Sequence, residues 1–200
     1  MIIVKKASIG DLSNIVTIHQ QAFPDFFLTT LGSDFLRMYY KCMCRYEGAV
    51  TLCAVENEKV VGFATTALTS AGFNTRLIKN NMGVFAWEAA KLLFTKPIAL
   101  IHLVKNMSKT NGNTTDEEEY AELFSIGVSP TSQAKGVGSM LLTETERIVS
   151  EKGRNIISLT TDKNDNASTN SFYKRNGYKV MYEFVAFPNR SMYRLIKVIK

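Results

Sequence analysis

The sequence predicts a single α/β domain built on a sheet of mixed direction. Two hundred residues, 46% hydrophobic and 21% charged, are enough to bury a real core and rule out a wholly disordered chain. Short β-branched runs alternate with stretches whose apolar residues recur at helical spacing. Their order is β-α-α-β-β, a long intervening segment, then β-α-β-α-β-β. It mixes hairpins with crossovers, and such a mixture gives a mostly antiparallel sheet of about seven strands flanked by helices.

Residues 2–6 read as the first strand. Ser8, Ile9, Gly10 and Asp11 then offer a side-chain cap and an acidic first turn. Leu12, Ile15, Val16, Ile18 and His19 recur at helical spacing to about Gln21, and a second helix over 33–45 buries Phe35, Leu36, Met38, Tyr39, Cys42 and Met43 on one broad face. Strands at 49–56 and 60–69 flank the turn residues Asn57, Glu58 and Lys59, which makes them a hairpin. Residues 70–118 are expected to form a helical insertion before the fourth strand, with candidate helices at 84–94 and 98–107 and a polar run over 108–119. The fourth strand covers 123–128, the next helix 138–152 and the fifth strand 155–161. A short helix at 168–176 is closed by Gly177, and strands at 179–187 and 192–199 form a last hairpin.

A net charge of +6 is scattered rather than clustered, so a nucleic-acid partner is not expected, whereas a small polyanion suits the surface well. Cys42, Cys44 and Cys53 lack His partners at zinc spacing and are expected to be reduced packing residues, with no metal. The N-terminus carries no secretory pattern, and a cytoplasmic location follows as an expectation. The one long apolar stretch, 84–104, holds Glu88, Lys91 and Lys96 and is broken by Pro97, so no membrane span is expected.

The most informative segment leaves a strand at Val128 and enters a helix through Gln133, Ala134, Lys135, Gly136, Val137 and Gly138. N–H groups at a helix start lack partners within the helix and can cradle an anion, while glycine permits both close approach and positive φ. The phosphate loop G-x-x-x-x-G-K-[ST] is absent. The dinucleotide fingerprint G-x-G-x-x-G/A fails at Leu141, although Asp162 keeps that reading open. The pattern Q/R-x-x-G-x-G/A is met, with Val128 placed five residues before Gln133.

This loop resembles the coenzyme A pyrophosphate loop of the GNAT superfamily of acyl-CoA-dependent N-acyltransferases. Downstream, Asn166, Tyr173, Gly177 and Tyr178 match the family element N-x-x-A-x-x-x-Y-x-x-x-G-F, with Thr169 replacing the small third residue. The two motifs occur in order, separated by one helix and one strand. The resemblance is strong over 119–178 and topological before it. It implies a single GNAT domain over 1–200 and acetyl-CoA as co-substrate. The implied cofactor contacts are Ile126, Gly127, Val128, Gln133, Ala134, Lys135, Gly136, Val137, Gly138, Ser139, Asn166 and Tyr173.

Acyl transfer expels a thiolate, and a phenol with an ordinary pKa of about 10 is protonated at neutral pH and can serve it as an acid. The resemblance gives Tyr173 that role. An ammonium acceptor must lose a proton first, and Glu122, in the string Ala121, Glu122, Leu123, Phe124, resembles the base of histone-acetyltransferase-type members. Gly127 is compatible with the strand bulge that the family uses to free backbone N–H groups. Direct attack in a ternary complex is expected, because no Cys–His pair accompanies the motifs.

The acceptor is expected to be the primary amine of a small molecule or a protein. Phe26, Phe27 and Trp87 are candidate walls of its pocket, with Phe73, Phe85 and Phe94 as further aromatics of the insertion. A second copy of the chain is a candidate homodimer partner. The competing reading is a non-catalytic acyl-CoA sensor or scaffold, which would have no need of Tyr173 or Glu122.

Overall fold

The computed structural model describes residues 1–98, 101 and 119–199. In chain order the elements are β1 (Ile2–Lys6), α1 (Leu12–Ala22), α2 (Phe27–Leu31), α3 (Ser33–Arg45), β2 (Ala49–Glu56), β3 (Lys59–Ala67), α4 (Phe73–Asn80) and α5 (Met82–Thr95). They continue with β4 (Ala121–Val128), α6 (Val137–Glu151), β5 (Ile156–Asp162), α7 (Ala167–Arg175), β6 (Lys179–Ala186) and β7 (Arg190–Val198). The expected helix over 98–107 and the polar run after it lie outside the described residues, apart from Ile98, Ile101 and Glu119.

The strands form one seven-stranded sheet in the order β1-β2-β3-β4-β5-β7-β6. Every neighbouring pair is antiparallel except β4 with β5. A parallel pair needs a crossover, which α6 supplies. β2 is buried at six consecutive positions, because helices cover both faces of the sheet there, and its sequence is correspondingly apolar throughout. β6, at the far edge, is exposed or half-buried along its whole length.

Two layers of helix sandwich the sheet. On one face, Val137, Leu141, Leu142 and Val149 of α6 pack with Tyr173 and Tyr178 on Leu52, Leu123, Ile157 and Leu195. On the other, α1 packs Ile15, Val16 and Ile18 against Leu36, Tyr40 and Phe63. Alongside, Phe35, Met38 and Met43 of α3 meet Phe73, Leu77 and Leu92 from α4 and α5. Sequence periodicity finds α1, α3 and α5 but not α2 and α4. Both are short, with five and eight residues, and are helical because tertiary contacts hold them rather than because of a long apolar stripe. At the chain's start the Ser8 N–H and hydroxyl both donate to the Asp11 carboxylate, at 2.8 and 2.7 Å, as the capping residues anticipate.

The feature that positions the site is the divergence of β4 from β5. The two pair only through Ala121↔Ile157, Glu122↔Ser158 and Leu123↔Leu159, although both strands run further. β4 leaves because it carries a bulge against β3: Thr66 faces Leu123 and Thr65 faces Ser125, leaving Phe124 as the extra residue. The bulge turns two consecutive side chains to one face, so that Phe124 packs on Phe73 while Ser125 meets Tyr40. It does not lie at Gly127, where the sequence allowed it. Gly127 pairs regularly with Phe63 and is glycine for a steric reason: an added Cβ would stand 2.8 Å from the Phe63 ring.

Candidate active site

The loop after β4 forms a turn that presents backbone to solvent. Ser129 N–H donates to the Val61 carbonyl at 2.8 Å, fixing the exit from the strand, and a single 3-10 turn covers Pro130–Ser132. Ala134 at φ 64° and Gly136 at φ 77° are both left-handed, and Gly136 caps α6 with no side-chain acceptor for the first-turn N–H groups. An added Cβ at Gly136 would meet nothing within 4 Å, so its φ, not crowding, demands glycine, and the space over the turn is open. Gln133, Ala134, Lys135 and Gly136 are exposed, Ser139 is half-buried, and Val137, 1% exposed, anchors the turn in the core. Lys135 pairs with Glu56 at 2.9 Å.

Gly138 has a different duty. A Cβ there would lie 3.1 Å from the Phe172 ring, so this glycine lets α6 and α7 approach rather than exposing backbone. Ile126 and Val128, on the free edge of β4, are half-buried against the α6 face.

Across the gap stands α7. Tyr173 is 7% exposed, with Phe172 at 5.2 Å and Tyr178 edge-on at 5.7 Å between ring centroids. Burial pushes its phenol above the ordinary value, so the hydroxyl is protonated throughout the neutral range. Asn166 stands at the start of α7, yet its side chain makes no capping bond. Its amide donates instead to Thr161 Oγ1 at 2.8 Å and the Asp162 carbonyl at 3.1 Å, tying α7 to the end of β5.

Glu122 is buried beside the last β4–β5 pairs, and both carboxylate oxygens are engaged. Arg194 of β7 donates to Oε1 and the Ser70 hydroxyl donates to Oε2. Arg194 reaches across the intervening β5, is 3% exposed, and lies over the Tyr120 ring at 5.6 Å. Burial works against its charge, but Glu122 and Tyr120 outweigh it and leave the guanidinium firmly ionised. Tyr39 of α3 is pushed above its ordinary value, first by burial and then by the Glu122 charge.

On the α1 face, His19 is fully buried with Nδ1 2.6 Å from the Tyr40 hydroxyl, and Ser125 bonds that hydroxyl in turn. Burial lowers His19 to about 4, so the ring is neutral. Phe26 packs against it at 6.3 Å between ring centroids, and Arg190 lies over the Phe26 ring at 5.8 Å while donating to Asp162 at 3.0 and 2.5 Å. Phe26 therefore joins the α1–α2 turn to the β6–β7 turn and the end of β5. Phe27 turns into the α3 cluster, and Trp87 is 66% exposed on α5.

The Gln133–Gly138 turn and α7 adjoin where Gly138 meets Phe172, beside the point at which β4 and β5 stop pairing. Ser70, Arg194, Tyr39 and Tyr40 were missed. Arg194 left one signal, a charge standing between Met192 and Tyr193 on one side and Leu195 and Ile196 on the other, in the apolar middle of its strand. Among the described residues no cluster of three His, Cys, Asp or Glu could hold a metal, and no helix is long and apolar enough to cross a membrane.

The seven-stranded mixed sheet thus splits after its parallel pair, with a helix entry of uncapped N–H groups beside the split. The acetyltransferase (GNAT) family model matches residues 12–178, and the chain belongs to that family. No curated protein sequence matches it. Among solved structures, ribosomal-protein-alanine N-acetyltransferase from Brucella melitensis is 14% identical with a TM-score of 0.65, covering 98% of this chain and 99% of that one. PaiA N-acetyltransferase from Thermoplasma acidophilum, solved in complex with coenzyme A, is 16% identical with a TM-score of 0.56 and 99% coverage of both chains. Aminoglycoside 6'-acetyltransferase type Ii is 14% identical with a TM-score of 0.63, covering 99% of this chain and 97% of that one. At these identities the likeness is one of fold.

Proposed function

We propose that the chain is an N-acetyltransferase that moves acetyl from acetyl-CoA to a primary amine by direct attack in a ternary complex. The observation that supports this is the divergence of β4 from β5 beside the open amide turn at Ala134–Gly136, with the protonated phenol of Tyr173 carried on the adjoining α7. The residues fit coenzyme A. Gln133, Ala134, Lys135, Gly136, Val137, Gly138 and Ser139 hold the pyrophosphate through backbone N–H groups and the first turn of α6. Ile126, Gly127 and Val128 offer main chain on the free edge of β4, and Asn166 borders the opposite wall. The thioester supplies an activated acetyl group.

Tyr173 then gives its proton to the departing sulfur, and Glu122 is the proton acceptor for the amine. Phe26 and Phe27 flank the acceptor side. Trp87 remains a candidate for a large acceptor that extends onto α5. A small-molecule amine or a protein amine both suit this arrangement, and the three free cysteines suit a cytoplasmic location.

The test is a thiol-release assay with acetyl-CoA against spermidine, kanamycin, glucosamine, lysine and an alanine-terminated peptide. Turnover with at least one amine is expected, falling about 10²-fold in Tyr173→Phe with coenzyme A affinity retained. Tight coenzyme A binding with no turnover across the panel, unchanged by that substitution, would instead establish a sensor.

A further inference from the structure

We infer that Ser70 is the relay through which the acceptor's proton reaches Glu122, with Arg194 holding the carboxylate's other oxygen as a positioning residue. This rests on the reading of Glu122 as the proton acceptor. That reading meets a steric difficulty that Ser70 resolves. Glu122 faces the α1 and α3 side of the sheet, where Phe26 and Phe27 flank the acceptor, but neither oxygen is open. Oε1 is taken by Arg194, whose charge cannot be given up. Oε2 is covered by the Ser70 hydroxyl, which donates to it.

A serine hydroxyl, unlike a guanidinium, can pass a proton through. It donates one hydrogen and retains lone pairs that accept another. The step balances: an ammonium N–H proton moves to Ser70 Oγ, directly or through one water, as the Ser70 O–H proton moves to Glu122 Oε2. The amine is left neutral, the serine is unchanged, and Glu122 becomes a carboxylic acid that later returns its proton to solvent.

Ser70 is held as a relay requires. Its N–H donates to the Tyr120 carbonyl at 2.9 Å, and Phe73 N–H donates to the Ser70 carbonyl at 2.9 Å. Arg76 binds the carbonyls on either side, Thr69 at 3.1 Å and Ala71 at 2.6 Å, and Arg154 binds the Thr69 hydroxyl at 2.7 Å. Such backbone and side-chain pinning of a three-residue turn fixes one hydroxyl direction. The turn opens the segment that carries α4 and α5, so that segment contributes to the chemistry at its first residue.

The charged and titratable groups around the pair are Tyr39 from α3, Tyr120 before β4, Tyr182 from β6, Arg76 from α4 and Arg154 before β5.

The experiment measures kcat against pH for wild type, Ser70→Ala, Ser70→Thr, Arg194→Lys and Glu122→Gln. It uses acetyl-CoA with the panel amine giving most thiol release, and coenzyme A affinity and thermal midpoint are measured beside it. Ser70→Ala is expected to lose about 10²-fold in kcat with coenzyme A affinity kept, and Ser70→Thr to restore most of it. Arg194→Lys moves the acid limb to higher pH, because a buried carboxylate whose cation is weakened or displaced holds its proton more tightly. Wild-type kcat in Ser70→Ala overturns the relay, as does equal loss in Ser70→Thr with both variants folded. Full turnover in Glu122→Gln removes the underlying reading instead, so the two failures are distinguishable. Independently of any variant, the wild-type proton inventory in H2O/D2O mixtures is expected to curve, with two protons in flight; a straight line contradicts the relay.

Discussion

His19 illustrates how a single buried side chain couples the α1 face to the strand that diverges. A hydrogen bond of 2.6 Å joins His19 Nδ1 to the Tyr40 hydroxyl, and Tyr40 in turn meets Ser125 of β4. Nε2 has no partner among the described residues and is walled by Phe23, Phe26 and Phe63. The fold accepts this because the ring stays neutral: burial brings it from 6.5 to about 4. A histidine depressed in the folded state takes up its proton more readily when unfolded, so stability is full above 6.5 and drains away as pH falls towards 4. The expected loss over that window is up to about 3 kcal/mol, measured by denaturant unfolding, and His19→Gln should flatten it. An unchanged slope in that variant would place the titration elsewhere. Residue roles of this kind were partly legible. Tyr173 stood at a motif spacing, and His19 on an apolar helical face, but the partners of Glu122 stand 52 and 72 residues away in sequence. No local pattern links such residues.

At the scale of elements, the two glycines at the start of α6 divide the work. Gly136 gives the turn its left-handed φ, whereas Gly138 yields space to Phe172 so that α6 and α7 meet closely. The sequence could place both glycines at a helix entry, yet it could not separate these duties, because the second depends on a ring 34 residues on. Gly138→Ala is therefore expected to destabilise by about 1–3 kcal/mol through overpacking, and Phe172→Leu in the same chain to recover part of it. Simple additivity of the two substitutions in denaturant melts would show that the contact is not limiting. The bulge was likewise anticipated in the right strand but at the wrong residue. Its position at Phe124 is set by pairing with β3 across Thr65 and Thr66, a register that the β4 sequence alone does not contain.

For the whole molecule, the order of strands and helices was legible because each strand is short, apolar and bounded by turn residues. The sheet order was not, since β7 inserts between β5 and β6 and no local signal dictates that. This insertion brings Arg194 within reach of Glu122 and Arg190 within reach of Asp162 and Phe26. Structural neighbours named for a ribosomal-protein alanine and for an aminoglycoside share this fold, so the fold by itself does not select an acceptor. The donor side is thus the central claim. Calorimetric titration of coenzyme A into the wild-type protein and Gly136→Glu tests it most directly. Saturable one-site binding by the wild type, lost in a variant that still unfolds cooperatively, is the predicted result; equal affinity in both would contradict the assignment of the loop.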